Sequence, residues 1–212
     1  MQRDPCLPKG TITLVLGGVR SGKSRFAHDL AKQVGGDEVL FVATAETRDD
    51  EMLHRVEHHR RSRPAKWQTL EQPLGPGVVI AQQHALPRVV LIDCLTLLVS
   101  NILCCEDSSS KGIDDLLKLV DTEVDALITV ATERSVHLII VSGEVGLGVV
   151  PEHPMGRMFR DLLGWANQRV AKSATTTYWM VAGLPIDATK LASSIHQAAK
   201  KIAENQTTGA ST

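Results

Sequence analysis

The sequence predicts an α/β protein in which a mostly parallel sheet carries helices on both faces. Three observations predict it. Apolar runs of strand length alternate with stretches of helical spacing along most of the 212 residues. The glycine-rich stretch Gly17-Gly18-Val19-Arg20-Ser21-Gly22-Lys23-Ser24 stands between an apolar run and a helix pattern. A later run, Val89-Val90-Leu91-Ile92, ends in an acid, Asp93. In such sheets ligands lie beyond the carboxyl ends of the strands. That puts the glycine-rich stretch, Ala43-Thr44, Asp93 and Ser142-Gly143-Glu144 along one edge.

The elements follow in order. Residues 1–10 read as a flexible lead-in. Residues 11–16 make a buried strand, and the helix after the glycine-rich turn ends near Gly35-Gly36. Residues 39–43 are a second β-branched run. Thr47 reads as an N-cap for a helix that stops before Pro64, with Asp49, Asp50 and Glu51 in its first turn. Residues 67–70 form a short strand, 73–77 a turn, then a short helix or coil. The strand 88–93 precedes a buried apolar helix over 95–103 and a polar loop over 106–112. A helix over 114–133 shows an apolar stripe of Leu117, Val120, Val124, Leu127 and Ile128. Then come a strand over 136–141, a Gly- and Pro-rich loop over 144–154, a helix over 155–173 and a last strand over 175–181. A surface helix over 188–204 and a disordered tail close the chain. One domain, 11–187, is expected.

Composition narrows the function classes. Hydrophobic residues make up 43% of the chain, enough for a packed core, but aromatics only 3%, so Leu, Val, Ile and Ala must supply it. The net charge of -1 gives no general reason to bind nucleic acid or an anionic membrane. No apolar run approaches ~18 residues, so no membrane span is expected. The start of the chain has prolines and charges but no apolar h-region, so a signal peptide is not expected and the simple location is the cytoplasm. Cys6, Cys94, Cys104 and Cys105 form no CxxC pair; Cys94 and Cys104, within apolar runs, read as small core residues.

The chemistry starts at the glycine-rich stretch. Gly17 and Gly22 lack a Cβ, so the backbone can turn tightly and approach a ligand. The turn aims backbone N–H groups inward, and the following helix N-terminus stabilises an anion there. Lys23 supplies a mobile cation for the outer phosphates, and the Ser24 hydroxyl can ligate Mg²⁺. These are the parts of a P-loop, and they place the chain in the P-loop NTPase class. Asp93 at its strand end can hold Mg²⁺, as a Walker B acid does; the competing reading is a solvated acid that caps the next helix.

Residues 49–64 hold three histidines and four arginines. A neutral imidazole is a good nucleophile near pH 7, since its unperturbed pKa is about 6.5. Neighbouring arginines can offset the charge of a phosphate under attack. The competing reading is a solvated polar helix face. His54-Arg55-Val56-Glu57-His58 also matches the inverted zincin pattern, although adjacent arginines would repel a dication. The loop 144–152 offers two acids and flexible glycines; Arg157, Arg160, Asn167, Gln168 and Arg169 stud the helix after it without roles that spacing assigns.

Taken together the chain resembles the bifunctional adenosylcobinamide kinase/adenosylcobinamide-phosphate guanylyltransferase family of cobalamin biosynthesis. The stretches concerned are GGVRSGKSRFA, VATAETRDDEM, HHRRSRPAKW, LIDCLTLLVSN, VSGEVGLGVVPE and FRDLLGWANQRVA, in the family's order. The resemblance implies a RecA-like sheet and a homotrimer. It implies phosphorylation of adenosylcobinamide with ATP or GTP, then transfer of GMP from GTP through a GMP-histidine intermediate on His58. It implies catalytic roles for His58 and Lys23. Nucleotide contacts are implied at Gly17, Gly18, Val19, Arg20, Ser21, Gly22, Lys23, Ser24, Ala43, Thr44, Ala45, His59, Arg60, Arg61, Ser62, Glu71 and Asp93, with Mg²⁺ on Ser24 and Asp93. Asp93 stands where many members carry glutamate, which shortens its reach. Two alternatives are a single-activity P-loop kinase for a small alcohol and a GTP-regulated switch. The switch lacks the N-K-x-D motif that usually reads guanine.

Overall fold

The computed structural model describes residues 10–46, 64–108 and 111–194. Its centre is a seven-stranded sheet in the order β3-β2-β4-β5-β1-β6-β7. The strands are β1 (Ile12–Gly17), β2 (Val39–Ala43), β3 (Gln68–Glu71), β4 (Val89–Asp93), β5 (His137–Gly143), β6 (Thr176–Val181) and β7 (Leu184–Asp187). All pairings are parallel except β6 with β7. The helices are α1 (Lys23–Gly35), α2 (Pro76–Ala81), α3 (Leu95–Cys104), α4 (Ile113–Arg134), α5 (Pro154–Ser173) and the short α6 (Ala188–Leu191).

The apolar strands explain the two layers. Side chains alternate faces along a strand, and both faces here are covered. Ile12, Leu14, Leu40, Val42, Val90, Ile92, Leu138 and Ile140 pack with the buried sides of α3, α4 and α5. Val15, Phe41, Leu91, Ile139 and Val141 point the other way, under Ala27 and Ala31 of α1, with Trp67 and Met180. A sheet buried on both sides needs continuous hydrophobic runs rather than alternation. Helices on both faces of a mostly parallel sheet are the architecture the sequence predicts.

Three local expectations need correction. The strand over 175–181 is not the last: Ala182 and Gly183, both with positive φ (50° and 84°), turn the chain back into β7. The helix expected over 188–204 ends at Leu191, and Ala192 is extended (φ -66°, ψ 133°). Asp187 caps it by accepting from Lys190 N at 3.2 Å, yet Leu191 is 73% exposed. None of its residues is buried. Cys104 is exposed rather than a core residue, while Cys94 is half-buried. Within the expected polar loop, Glu106–Ser108 form a 3₁₀ turn. The helix expected from Thr47 to before Pro64 lies outside the described residues, as does the chain beyond Ser194.

Register brings the edge together. Gly17 pairs with Gly143 and Met180, and Ala43 with both Glu71 and Asp93. The carboxyl ends of β1 to β6, six parallel strands, therefore finish near one level.

Candidate active site

At that edge the chain leaves β1 through Gly17 and enters α1 at Lys23. Gly22 precedes the helix in a left-handed conformation, φ 90°, which glycine adopts without steric penalty. A Cβ on Gly22 would meet Gly183 Cα at 3.3 Å. The β6–β7 turn is thus a brace behind the loop, and Gly183 N donates to Ser21 O at 3.0 Å. A Cβ on Gly17 would sit 2.6 Å from Ser21 Oγ and 2.9 Å from Met180 Cβ. Arg20 also takes a positive φ, 59°, and Val19 is 88% exposed at the tip.

The loop is built to hold an anion. Lys23 Nζ curls back to donate to Gly18 O at 3.1 Å. Ser21 Oγ is buried and has no hydrogen-bond partner among the described residues. A buried hydroxyl without a partner is costly, and a phosphate oxygen in the cradle would accept from it. The N-terminus of the 13-residue α1 opens on the same space.

Asp93 ends β4 beside this loop, and Ser24 Oγ donates to Asp93 Oδ1 at 3.4 Å. A hydroxyl and a carboxylate facing one another are hard oxygen ligands, the set Mg²⁺ takes together with phosphate oxygens. The two residues fit the metal expected there. The Asp93–Cys94 peptide is cis. Cys94 keeps some accessible surface, yet burial of its thiol, reinforced by the Asp93 charge, pushes its pKa up to about 11. It is therefore a neutral thiol near pH 7 rather than a nucleophile.

Thr44 is fully buried, and its polar groups are used within the protein. Its N donates to Asp93 O at 3.2 Å. Its hydroxyl donates to Cys94 O at 2.7 Å and accepts from Cys94 N at 2.8 Å. Its carbonyl accepts from Asn101 Nδ2 at 2.8 Å. Thr44 thus welds the end of β2 to the end of β4. Ala43 is buried, Ala45 half-buried, and Glu71 exposed at the end of β3.

Beyond β5 a second set of bonds fixes the chain. Asn167, 8% exposed, links Ser142 Oγ at 2.6 Å and Gly143 O at 3.0 Å. Thr96 Oγ1 accepts from Gly143 N at 2.6 Å, and Glu144 N donates to Gly17 O at 3.0 Å. The Glu144 carboxylate accepts from the backbone N–H groups of Gly146 and Leu147. It shapes its own loop, and a Cβ on Gly146 would crowd Oε1 at 2.9 Å.

Of the residues expected at the site, the edge gathers Gly17 through Ser24, Ala43, Thr44, Ala45, Glu71 and Asp93. His58, His59, Arg60, Arg61 and Ser62 lie outside the described residues, as does the zincin-like His54 to His58. Sequence reasoning passed over Asn101, Thr96 and the part played by Asn167. The signal that could have found them was a buried polar side chain: Asn101 stands in the apolar helix α3 yet is only 6% exposed. Besides the cradle, a cleft of about 470 Å³ opens beside Glu46, Leu74 and Asn101.

A phosphate cradle, an adjacent magnesium-type acid and a mostly parallel sheet define a P-loop nucleotide-handling enzyme. Residues 13–188 match the family described as cobinamide kinase / cobinamide phosphate guanyltransferase, and the chain belongs to that family. It is 40% identical over 173 residues to the bifunctional adenosylcobalamin biosynthesis protein CobP of Pseudomonas aeruginosa, covering 82% of this chain and 94% of that one. It is 36% identical to the bifunctional adenosylcobalamin biosynthesis protein CobU of Salmonella typhimurium, over 82% of this chain and 97% of the other. The protein of the same name from Escherichia coli is 35% identical over the same shares. Among solved structures, the flagellar accessory protein FlaH from Methanocaldococcus jannaschii superposes with a TM-score of 0.46 at 16% identity, over 82% of this chain and 72% of that one.

Proposed function

We propose that the chain phosphorylates the aminopropanol hydroxyl of adenosylcobinamide with ATP or GTP and then transfers GMP from GTP to the new phosphate. The products of the second step are adenosylcobinamide-GDP and pyrophosphate. Family membership and the cradle at Gly17 to Ser24, with Asp93 3.4 Å from Ser24, support the reading. One domain, 11–187, is assigned both steps.

In the first step the acceptor oxygen attacks the γ-phosphorus, the bond to the β-bridging oxygen breaks, and the hydroxyl proton leaves to solvent. The loop N–H groups and Lys23 hold the β- and γ-phosphates while charge moves onto the leaving oxygen. Ser24 and Asp93 would hold Mg²⁺, which would supply further positive charge to the phosphates.

In the second step a neutral His58 nitrogen attacks the α-phosphorus of GTP and pyrophosphate departs. The phosphoramidate is labile, so an oxygen of the acceptor phosphate displaces the imidazole and takes the GMP. Arg60, Arg61 and Arg63 offset the charge that builds on the α-phosphate. His59 through Ser62, Ala43 to Ala45, Glu71 and Asp93 are assigned to the nucleotide; for Thr44 the assigned part is to hold the strand ends. Asp93 is assigned the metal together with Ser24, whose hydroxyl donates to its carboxylate at 3.4 Å.

The test is His58→Ala with [α-³²P]GTP. Label passes to the unaltered protein and not to the variant, while phosphorylation of adenosylcobinamide by ATP continues. Equal labelling of the two rejects His58 as nucleophile, and a chain that only phosphorylates is a single-activity kinase.

We also propose a cytoplasmic homotrimer. No helix among the described residues is long and apolar enough to cross a membrane, and ATP and GTP are cytoplasmic nucleotides. Trp179, Val181 and Leu184 on the β6–β7 hairpin, 40%, 41% and 68% exposed, support an assembled state.

A further inference from the structure

The cleft of about 470 Å³ is lined by acceptors of hydrogen bonds. Glu46, Glu106 and Asp107 bring carboxyl groups to it, and among the described residues no lysine or arginine lines it. Asn101 adds a further acceptor. It is 6% exposed, and its Nδ2 is spent on the carbonyls of Thr44 and Pro73 at 2.8 and 3.0 Å. Its Oδ1 accepts nothing from the described residues, and a buried carbonyl without a donor is costly. An amide fixed in this way offers its oxygen to a donor that enters the cleft. Such a lining calls for a ligand that brings N–H groups and no negative charge.

The place of the cleft in the fold selects the substrate. Ala43, the last residue of β2, pairs with Asp93, and neighbouring strands lie about 5 Å apart. Thr44 N donates to Asp93 O, and Glu46 follows two residues on. The cleft therefore opens beyond Asp93, on the side away from β1 in the order β2-β4-β5-β1. Metal ions at such sites bridge the β- and γ-phosphates, so the outer phosphates point from the cradle toward Asp93 and the nucleoside end points away. An acceptor that attacks the γ-phosphorus in line comes from the Asp93 side.

We propose that this cleft binds the corrinoid acceptor through the primary amides on its rim. Adenosylcobinamide carries several primary carboxamides around its ring and a net positive charge, the donors and the sign that this lining takes. A cleft of this size holds one sector of the ring rather than the whole molecule, and Leu74 supplies apolar surface to its edge. The inference deepens the function proposed above and rests on it.

Cys104 is exposed and lines the cleft, so its alkylation reports occupancy without a mutation. The full chain is treated with N-ethylmaleimide, and modification at Cys104 is followed by mass. Adenosylcobinamide alone is expected to slow it several-fold; ATP or GTP alone is not. Glu106→Lys combined with Asp107→Lys, both at exposed positions, is expected to raise the KM for adenosylcobinamide roughly tenfold in ATP-dependent phosphorylation. The KM for ATP and the rate of protein labelling by [α-³²P]GTP are expected to change by no more than about twofold. Protection of Cys104 by GTP alone would make the cleft a nucleoside site and overturns the proposal. So does a corrinoid that gives no protection, or a corrinoid KM that the double variant leaves unchanged. An unaltered chain that does not phosphorylate adenosylcobinamide overturns the proposed function and this inference with it, whereas phosphorylation without protection overturns this inference alone.

Discussion

Gly22 shows how much one residue can decide. Its φ of 90° is open to glycine, and the built Cβ would press on Gly183 Cα at 3.3 Å. An L-residue in the left-handed region costs about 1–2 kcal/mol before any clash is counted. Gly22→Ala is therefore expected to lower the melting temperature and to weaken ATP-analogue binding, since relief of strain moves the amides that face the phosphates. A variant that melts and binds like the parent would show that the turn has freedom that its backbone does not suggest. Gly17, Gly22, Lys23, Ser24 and Asp93 were legible in the sequence because their types are forced by the chemistry of a phosphate cradle. Asn101, Thr44 and Asn167 were not. Each acts through backbone carbonyls and amides of distant segments, and the partners of a buried amide follow from topology rather than spacing.

Elements tell the same story at larger size. β1, β2, β4 and β5 were readable because a strand buried on both faces is a continuous apolar run. β7 was not: Leu-Pro-Ile-Asp is short, holds a proline, and sits at the sheet edge, where proline is tolerated. Of the surface helix expected over 188–204, only Ala188–Leu191 is helical among the described residues, and none of its residues is buried.

β5 also carries a titration. At its start His137 pins β5 to β1: Thr13 Oγ1 lies 3.3 Å from Nε2, and Thr11 Oγ1 contacts Nδ1. Burial, and then the Arg88 charge, hold its pKa below the usual histidine value. The unfolded chain thus takes up this proton first as pH falls, near its ordinary pKa of about 6.5, and the folded chain only lower. Stability from this group is present above about pH 6.5 and is lost as pH drops through the folded pKa. Urea midpoints between pH 7.5 and 5 are expected to fall more steeply for the parent than for His137→Gln. Parallel curves would remove His137 as the cause.

At the scale of the whole molecule, the sheet brings the parts that both reactions use to one edge. Parallel strands bring their carboxyl ends to one edge, so the phosphate cradle, the acid and the start of the His58 stretch share it. The architecture and the family were legible from strand-helix alternation and from motifs spread over most of the chain. His58 lies outside the described residues. The most direct measurement is to incubate the full chain with adenosylcobinamide, Mg²⁺ and GTP and to follow the corrinoid by mass. The account predicts a phosphorylated corrinoid that appears first and is consumed as the GDP adduct accumulates with pyrophosphate. A corrinoid that stops at the phosphate, or is never modified, would contradict it.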